Sequence, residues 1–221
     1  MKQTIISQIE RERIIVIVRR IYGEQLEKLF ESLHEGGLRM VEVTFDQSDP
    51  DCLVHTADAI ARLNKRFGSD SLIGAGTVLT PAQADAAFNA GAQYIISPNT
   101  DPDVIARTLE HGLVSIPGAM TPSEILAAHK CGADIVKVFP AIDLGLSYVK
   151  NIRGPISHVK LLATAGVNEE NLKDFLNGGY IGAGISGRLT DRKVLESGNY
   201  SEFTERAKTF RDIVSAFNEG R

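Results

Sequence analysis

Short apolar runs rich in β-branched residues alternate with longer stretches in which apolar residues recur every third or fourth position, and the alternation repeats eight times. The runs are Ile14 to Arg19, Met40 to Thr44, Leu72 to Thr77, Tyr94 to Ser97, Val114 to Pro117, Ile135 to Phe139, Lys160 to Thr164 and Tyr180 to Gly184. Each has the length of a strand. In the run Ile135 to Phe139 both faces are apolar, as in a parallel sheet covered by helices. Between the runs, Leu26, Leu29, Phe30 and Leu33 repeat at helical spacing, as do Leu53, Ala57, Ile60 and Leu63 and, near the end, Phe203, Ala207, Phe210, Val214 and Phe217. These stripes are core-facing helix surfaces. An amphipathic opening around Ile5, Ile6 and Ile9 predicts one more helix ahead of the first strand.

The punctuation agrees. Thr80-Pro81-Ala82-Gln83 and Thr121-Pro122-Ser123-Glu124 read as capping boxes with proline at the first helical position. Asn168-Glu169-Glu170 reads as the cap of the seventh helix. Gly36, Gly91, Gly112, Gly132 and Gly178 fall where helices should stop. Eight consecutive βα units joined by right-handed crossovers close into a (β/α)₈ TIM barrel, so the expectation is an α/β chain with residues 1–221 as one barrel domain. The competing arrangement, an open doubly wound sheet, would usually place a glycine-rich fingerprint after the first strand, and Arg19-Arg20-Ile21-Tyr22-Gly23 is not one.

Composition changes this picture little. With 43% apolar and 24% charged residues the chain resembles an ordinary soluble enzyme. A net charge of −4 with no basic run beyond Arg19-Arg20 gives nucleic acid no footprint. The apolar stretch Ile14 to Val18 is too short for a membrane span or a signal sequence. Two cysteines, Cys52 and Cys131, fit reduced thiols in a cytoplasm rather than a disulfide or zinc scaffold.

The chemistry gathers around Lys137, which sits inside the apolar run Gly132 to Pro140 and shares a strand face with Ile135 and Phe139. A desolvated ammonium favours the neutral amine, and a neutral amine is a nucleophile toward ketones. In a barrel the C-terminal strand ends form the active face. Reading those ends in turn brings Arg19, Glu42 with Thr44, Thr77, Ser97-Pro98, Lys137 with Phe139, and Thr164 to one mouth, with the glycine-rich turn Gly182 to Gly187 after the last strand. Glu42 is suited to move the protons of imine chemistry, Arg19 to hold a carboxylate, and the final turn to offer amides to a phosphate. Other readings stand beside these: a buried Glu42–Lys137 ion pair, a surface Arg19 next to Arg20, and a turn that is only a turn. None of the five histidines ends a strand, which argues against a histidine-ligated divalent metal and the metal-dependent route to an enolate.

Taken together, Ile17 to Arg19, Val41-Glu42-Val43-Thr44, Ile73 to Pro81, Ser97-Pro98, Ile116-Pro117-Gly118, Thr121 to Glu124 and Val136-Lys137-Val138-Phe139-Pro140 resemble the 2-keto-3-deoxy-6-phosphogluconate (KDPG) and 4-hydroxy-2-oxoglutarate (KHG) aldolases over about residues 14 to 190. The resemblance implies a class I aldolase with neither metal nor cofactor, acting on a small sugar acid, usually as a homotrimer, and releasing pyruvate and an aldehyde such as glyceraldehyde 3-phosphate. It implies Lys137 as the Schiff-base lysine, Glu42 as the proton-transfer residue, and Arg19, Thr77, Pro98, Phe139 and Thr164 as the pyruvate pocket. It also implies a phosphate loop at the end of strand eight, with Gly166 nearby and Gly184, Ile185 and Ser186 in the turn, whose Gly182-Ala183-Gly184 leans toward the 6-phosphogalactonate branch. Two positions depart from the family pattern. Phe45-Asp46-Gln47-Ser48 stands where many members have Leu-Arg-Thr-Pro, and Thr164-Ala165-Gly166 replaces Thr-Gly-Gly. A non-phosphorylated 2-keto acid as substrate, and a sugar-phosphate isomerase or epimerase on the same barrel, are the alternatives.

Overall fold

The computed structural model describes residues 2–220. A helix, α1 (Lys2–Glu12), precedes the repeating units: β1 (Ile14–Val18), α2 (Gly23–Glu35), β2 (Met40–Thr44), α3 (Cys52–Phe67), β3 (Leu72–Gly76), α4 (Pro81–Asn89), β4 (Tyr94–Ile96) and α5 (Pro102–Glu110). The second half continues with β5 (Val114–Ile116), β6 (Gly118–Ala119), α6 (Pro122–Lys130), β7 (Val136–Val138), α7 (Ala141–Arg153), β8 (Leu161–Thr164), α8 (Leu172–Gly178) and β9 (Gly182–Ile185). A 3₁₀ turn (Gly187–Thr190), α9 (Arg192–Ser197) and α10 (Tyr200–Glu219) complete it. All pairings are parallel, in the order β5-β4-β3-β2-β1-β9-β8-β7-β6.

The expected fifth strand is split. Pro117 has no N–H for the ladder, so β5 pairs with β4 and β6 pairs with β7. The Lys137 N–H donates to the Pro117 carbonyl at 2.8 Å across the break. With β5 and β6 counted as one strand, eight positions close into a barrel.

Alternation divides the core in two. Ile15, Met40, Leu72, Tyr94, Ile96, Val114, Ile116, Ile135 and Leu162 form an inner cluster with Ile5, Ile6 and Ile9 of α1, which therefore stoppers the N-terminal end. The odd partners, among them Val16, Val41, Ile73, Ala163 and Ala183, pack outward against the helices. Because Met40 and Ile135 point inward, so do Glu42 and Lys137 two residues on. Tyr94 fills the interior beside them: a Cβ on Gly74 would lie 2.2 Å from its ring, and its hydroxyl donates to the Val41 carbonyl at 2.7 Å.

Local signals were partly displaced. Thr121 and Glu124 close a full capping box, whereas at α4 Thr80 caps Gln83 while the Gln83 side chain accepts from the Leu79 N–H instead of Thr80. Asn168 does not cap α8. Its carboxamide oxygen accepts from the Glu170 and Asn171 N–H groups in a turn, and the helix begins three residues later, with Asn171 at its N-cap. Gly36 also serves packing: it keeps a helical φ of −72°, and a Cβ there would meet Ala207 of α10 at 2.4 Å, while Gly37 takes the left-handed turn at φ 99°. Among the described residues no helix is long and apolar enough to cross a membrane.

Candidate active site

Lys137 and Glu42 lie under the barrel mouth, 3% and 1% exposed. Both sit on central strands, because a single polar residue in an apolar parallel strand keeps the strand's register and simply turns its side chain inward. Gly76 makes the room for Glu42: a Cβ there would stand 2.7 Å from the carboxyl. No direct ion pair joins Glu42 to Lys137 among the described residues, and Glu42 Oε2 is buried without a hydrogen-bond partner. Lys137 Nζ lies 4.9 Å from the centroid of the Phe139 ring.

The electrostatics follow from burial. Desolvation pushes the Lys137 amine below the usual lysine range; Glu42 opposes the shift and Arg19 reinforces it. Desolvation pushes the Glu42 carboxyl above the usual range against the pull of Lys137 and Arg19. Burial thus pushes both groups toward their neutral forms, and among the described residues no Glu42–Lys137 ion pair forms.

At the C-terminal strand ends opens a cavity of about 580 Å³ whose lining includes Arg19, Thr44, Thr77 and Ser186 but neither Glu42 nor Lys137. Arg19 is exposed at the end of β1 and faces this cavity, and Thr77 keeps its place there with a left-handed φ of 55°. Thr164 is buried beside Gly184, where a Cβ would approach its Oγ1 to 3.0 Å. The Pro98 carbonyl lies against Gly118 so closely that a Cβ on that glycine would come within 2.2 Å. The Ile185 side chain packs in the outer layer, so only its backbone can reach the mouth. Gly166 is exposed, with Ile142 covering the place where its Cβ would be.

Sequence reasoning missed much of the outer wall. Arg20, Phe45, Asp46, Gln47, Ser48, Thr190 and Arg192 also line the cavity. Arg20 pairs with Asp46 through Nε at 2.6 Å and Nη2 at 3.0 Å, and Asp46 also accepts from the Ser48 hydroxyl at 2.7 Å. The acid in place of the expected arginine is therefore matched by an arginine from the neighbouring loop. The Gln47 side chain donates to the Thr77 carbonyl at 2.9 Å and accepts from Gln83 at 3.0 Å, tying the second and third loops together. At the other departure, Ala165 adopts a left-handed φ of 78°, the conformation that suits glycine.

A parallel barrel with a desolvated lysine and a buried carboxyl at its C-terminal mouth defines an enzyme equipped for carbonyl chemistry through an amine. Comparison with known proteins narrows the class. A family model described as "Aldolase: KDPG and KHG aldolase" matches residues 5–206. The 2-dehydro-3-deoxy-phosphogluconate aldolase of Treponema pallidum is 34% identical over 96% of this chain and 98% of its own. A probable 2-dehydro-3-deoxy-6-phosphogalactonate aldolase of Rhizobium meliloti is 35% identical over 80% of this chain and 81% of its own. The crystal structure of a Legionella pneumophila KDPG aldolase, with pyruvate captured as a covalent carbinolamine, superposes with a TM-score of 0.81 at 28% identity, covering 91% of this chain and 95% of that one. This chain belongs to the KDPG and KHG aldolase family, and it is a lyase of the aldolase class.

Proposed function

We propose that the protein cleaves a 2-keto-3-deoxy-6-phospho sugar acid, of the gluconate or galactonate series, to pyruvate and glyceraldehyde 3-phosphate through an imine on Lys137. The observation that carries the reading is the buried Lys137 amine, without an ion pair among the described residues, and the buried Glu42 carboxyl, whose Oε2 has no hydrogen-bond partner. The neutral amine adds to the C2 ketone to give a carbinolamine. Glu42, whose carboxyl burial pushes above the usual range, donates the proton with which the hydroxyl leaves as water. The resulting iminium draws electrons from the C3–C4 bond. As that bond breaks, Glu42, now a carboxylate, takes the C4 hydroxyl proton, directly or through a water, and the aldehyde departs. Protonation of the enamine at C3 restores the iminium, and water releases pyruvate and the free amine. Arg19 at the inner mouth suits the substrate carboxylate, and Phe139 supplies an apolar wall beside the imine. Thr77, Pro98 and Thr164 complete the pyruvate end; Gly166, Gly184, Ile185 and Ser186 border the distal end.

In this reading residues 1–221 act as one barrel domain, in the cytoplasm, and as a homotrimer; the trimer is what the resemblance implies, and two free thiols suit the compartment. Borohydride reduction in the presence of pyruvate should fix a three-carbon adduct on the peptide containing Lys137. An unlabelled Lys137, or substantial turnover in Lys137→Met, would sink the imine mechanism and favour proton-transfer isomerisation. Sedimentation of the purified protein checks the trimer.

A further inference from the structure

The buried Oε2 of Glu42 has no hydrogen-bond partner, so the carboxyl is aimed by its backbone and by the packing around it. Two glycines of β3 leave room for that packing. The space at Gly76 admits the Glu42 carboxyl, and the space at Gly74, which pairs with Glu42 across the sheet, admits the Tyr94 ring. A Cβ on Gly74 would lie 2.2 Å from that ring. Tyr94 therefore reaches from β4 across β3 to β2, a strand that is not its neighbour. There its hydroxyl donates at 2.7 Å to the Val41 carbonyl, which belongs to the peptide unit leading into Glu42. The hydroxyl is also close enough for the Glu42 charge to act on it. The residue is fully buried in the inner cluster with Met40 and Leu72. A phenylalanine would fill the same apolar space, and the hydroxyl is what ties the ring to β2.

We propose that Tyr94 is a positioning residue for proton transfer: its hydroxyl fixes the Val41–Glu42 peptide unit and its ring packs beside Glu42, which together hold the carboxyl at the reacting centre. The inference rests on the aldolase reading, in which Glu42 moves the protons, and adds to it a residue that touches no substrate. A strand side chain leaves the backbone in a direction set by its own peptide units, so a carbonyl anchored from the barrel interior fixes where the carboxyl ends. Small displacements of a proton-transfer group are costly, because the group acts only within hydrogen-bond reach of the atom it serves. Tyr94 thus acts on the rate of the chemical steps, and substrate binding at the mouth is left to other residues.

The test compares wild-type enzyme with Tyr94→Phe and, as a control, with Thr108→Val, which removes a buried hydroxyl-to-carbonyl bond of the same 2.7 Å length inside α5. Turnover of a 6-phosphorylated 2-keto-3-deoxy acid is expressed per site labelled by pyruvate and borohydride, so that unfolded protein does not count. Tyr94→Phe should label Lys137 to the same final extent as the wild type. Its kcat per labelled site should fall on the order of 10-fold, part of the loss that a misplaced acid–base group entails, with KM nearly unchanged. Thr108→Val should unfold at a lower temperature and keep the wild-type kcat per labelled site. An unchanged kcat in Tyr94→Phe, a loss confined to KM, or an equal fall in Thr108→Val overturns the role of Tyr94 alone, and so does a folded Tyr94→Phe that no longer labels. No labelling and no turnover in the wild type overturn the aldolase reading and this inference together.

Discussion

The Glu42 carboxyl occupies the space that a side chain on Gly76 would need: a Cβ there would lie 2.7 Å from both the Cδ and Oε2 of Glu42. Glu42 pairs across the sheet with Gly74, and its side chain runs toward Gly76, two residues further along β3. Gly76→Ala should therefore displace Glu42 while leaving the barrel folded. Turnover should fall on the order of 100-fold, within the range lost when a general acid–base group is misplaced. A pyruvate-release assay on the folded variant, checked by circular dichroism, measures it. An unaltered kcat would remove Glu42 from proton transfer.

Burial of two mutually unpaired ionisable groups costs stability, and the cost has a pH window. A carboxyl whose folded pKa is raised binds more protons folded than unfolded, so its penalty grows as pH rises from the unfolded carboxylate value through the folded one. A lysine whose folded pKa is lowered carries its full penalty below the folded value and loses it as pH rises toward the unfolded one. The double variant Glu42→Gln, Lys137→Met should thus be inactive, yet equal to the wild type or more stable by about 1–4 kcal/mol near neutral pH. Urea denaturation across pH should show the gap narrowing at both acid and alkaline extremes.

Removing the acid at the rim should free a cation. Asp46→Asn should leave stability nearly unchanged, since Arg20 is 58% exposed at its side chain and surface pairs contribute little. The KM for a phosphorylated 2-keto acid should fall, and the gain should shrink with added salt. A salt-independent effect would mean that Asp46 acts through loop geometry instead.

Ala165 carries a methyl group at φ 78°. Ala165→Gly should relieve roughly 1 kcal/mol of left-handed strain, offset in part by the greater freedom of glycine in the unfolded chain. Thermal unfolding reads the balance, and a marked drop in Tm would show that Ala165 is not strained.

The barrel was legible because parallel strands buried on both faces leave unbroken apolar runs, and because Thr121, Pro122 and Glu124 mark a helix start by chemistry that few other contexts need. Lys137 and Glu42 were legible for the same reason: a charge inside such a run stands out. The break at Pro117 was hidden, since proline at a run's end reads as an ordinary terminus. Asn168 misled because a carboxamide closes a free-standing turn as readily as it caps a helix. Thr190 and Arg192 could not be singled out at all, and Arg20 entered only as a neighbour of Arg19. Each is a polar residue in a loop or at a helix end, and only the folded chain brings them around one cavity. The one hint was Asp46, whose oddity against the family pattern pointed to the loop where Arg20 meets it.

Ile5, Ile6 and Ile9 of α1 leave the barrel with a single doorway. Traffic through it has an order. If pyruvate is held on Lys137, as proposed, it sits at the blind end with the aldehyde between it and solvent, and the aldehyde then leaves first and pyruvate last. Pyruvate should accordingly inhibit cleavage competitively against the sugar acid and the aldehyde non-competitively; the reverse pattern in product-inhibition kinetics would mean that the blind end opens during turnover.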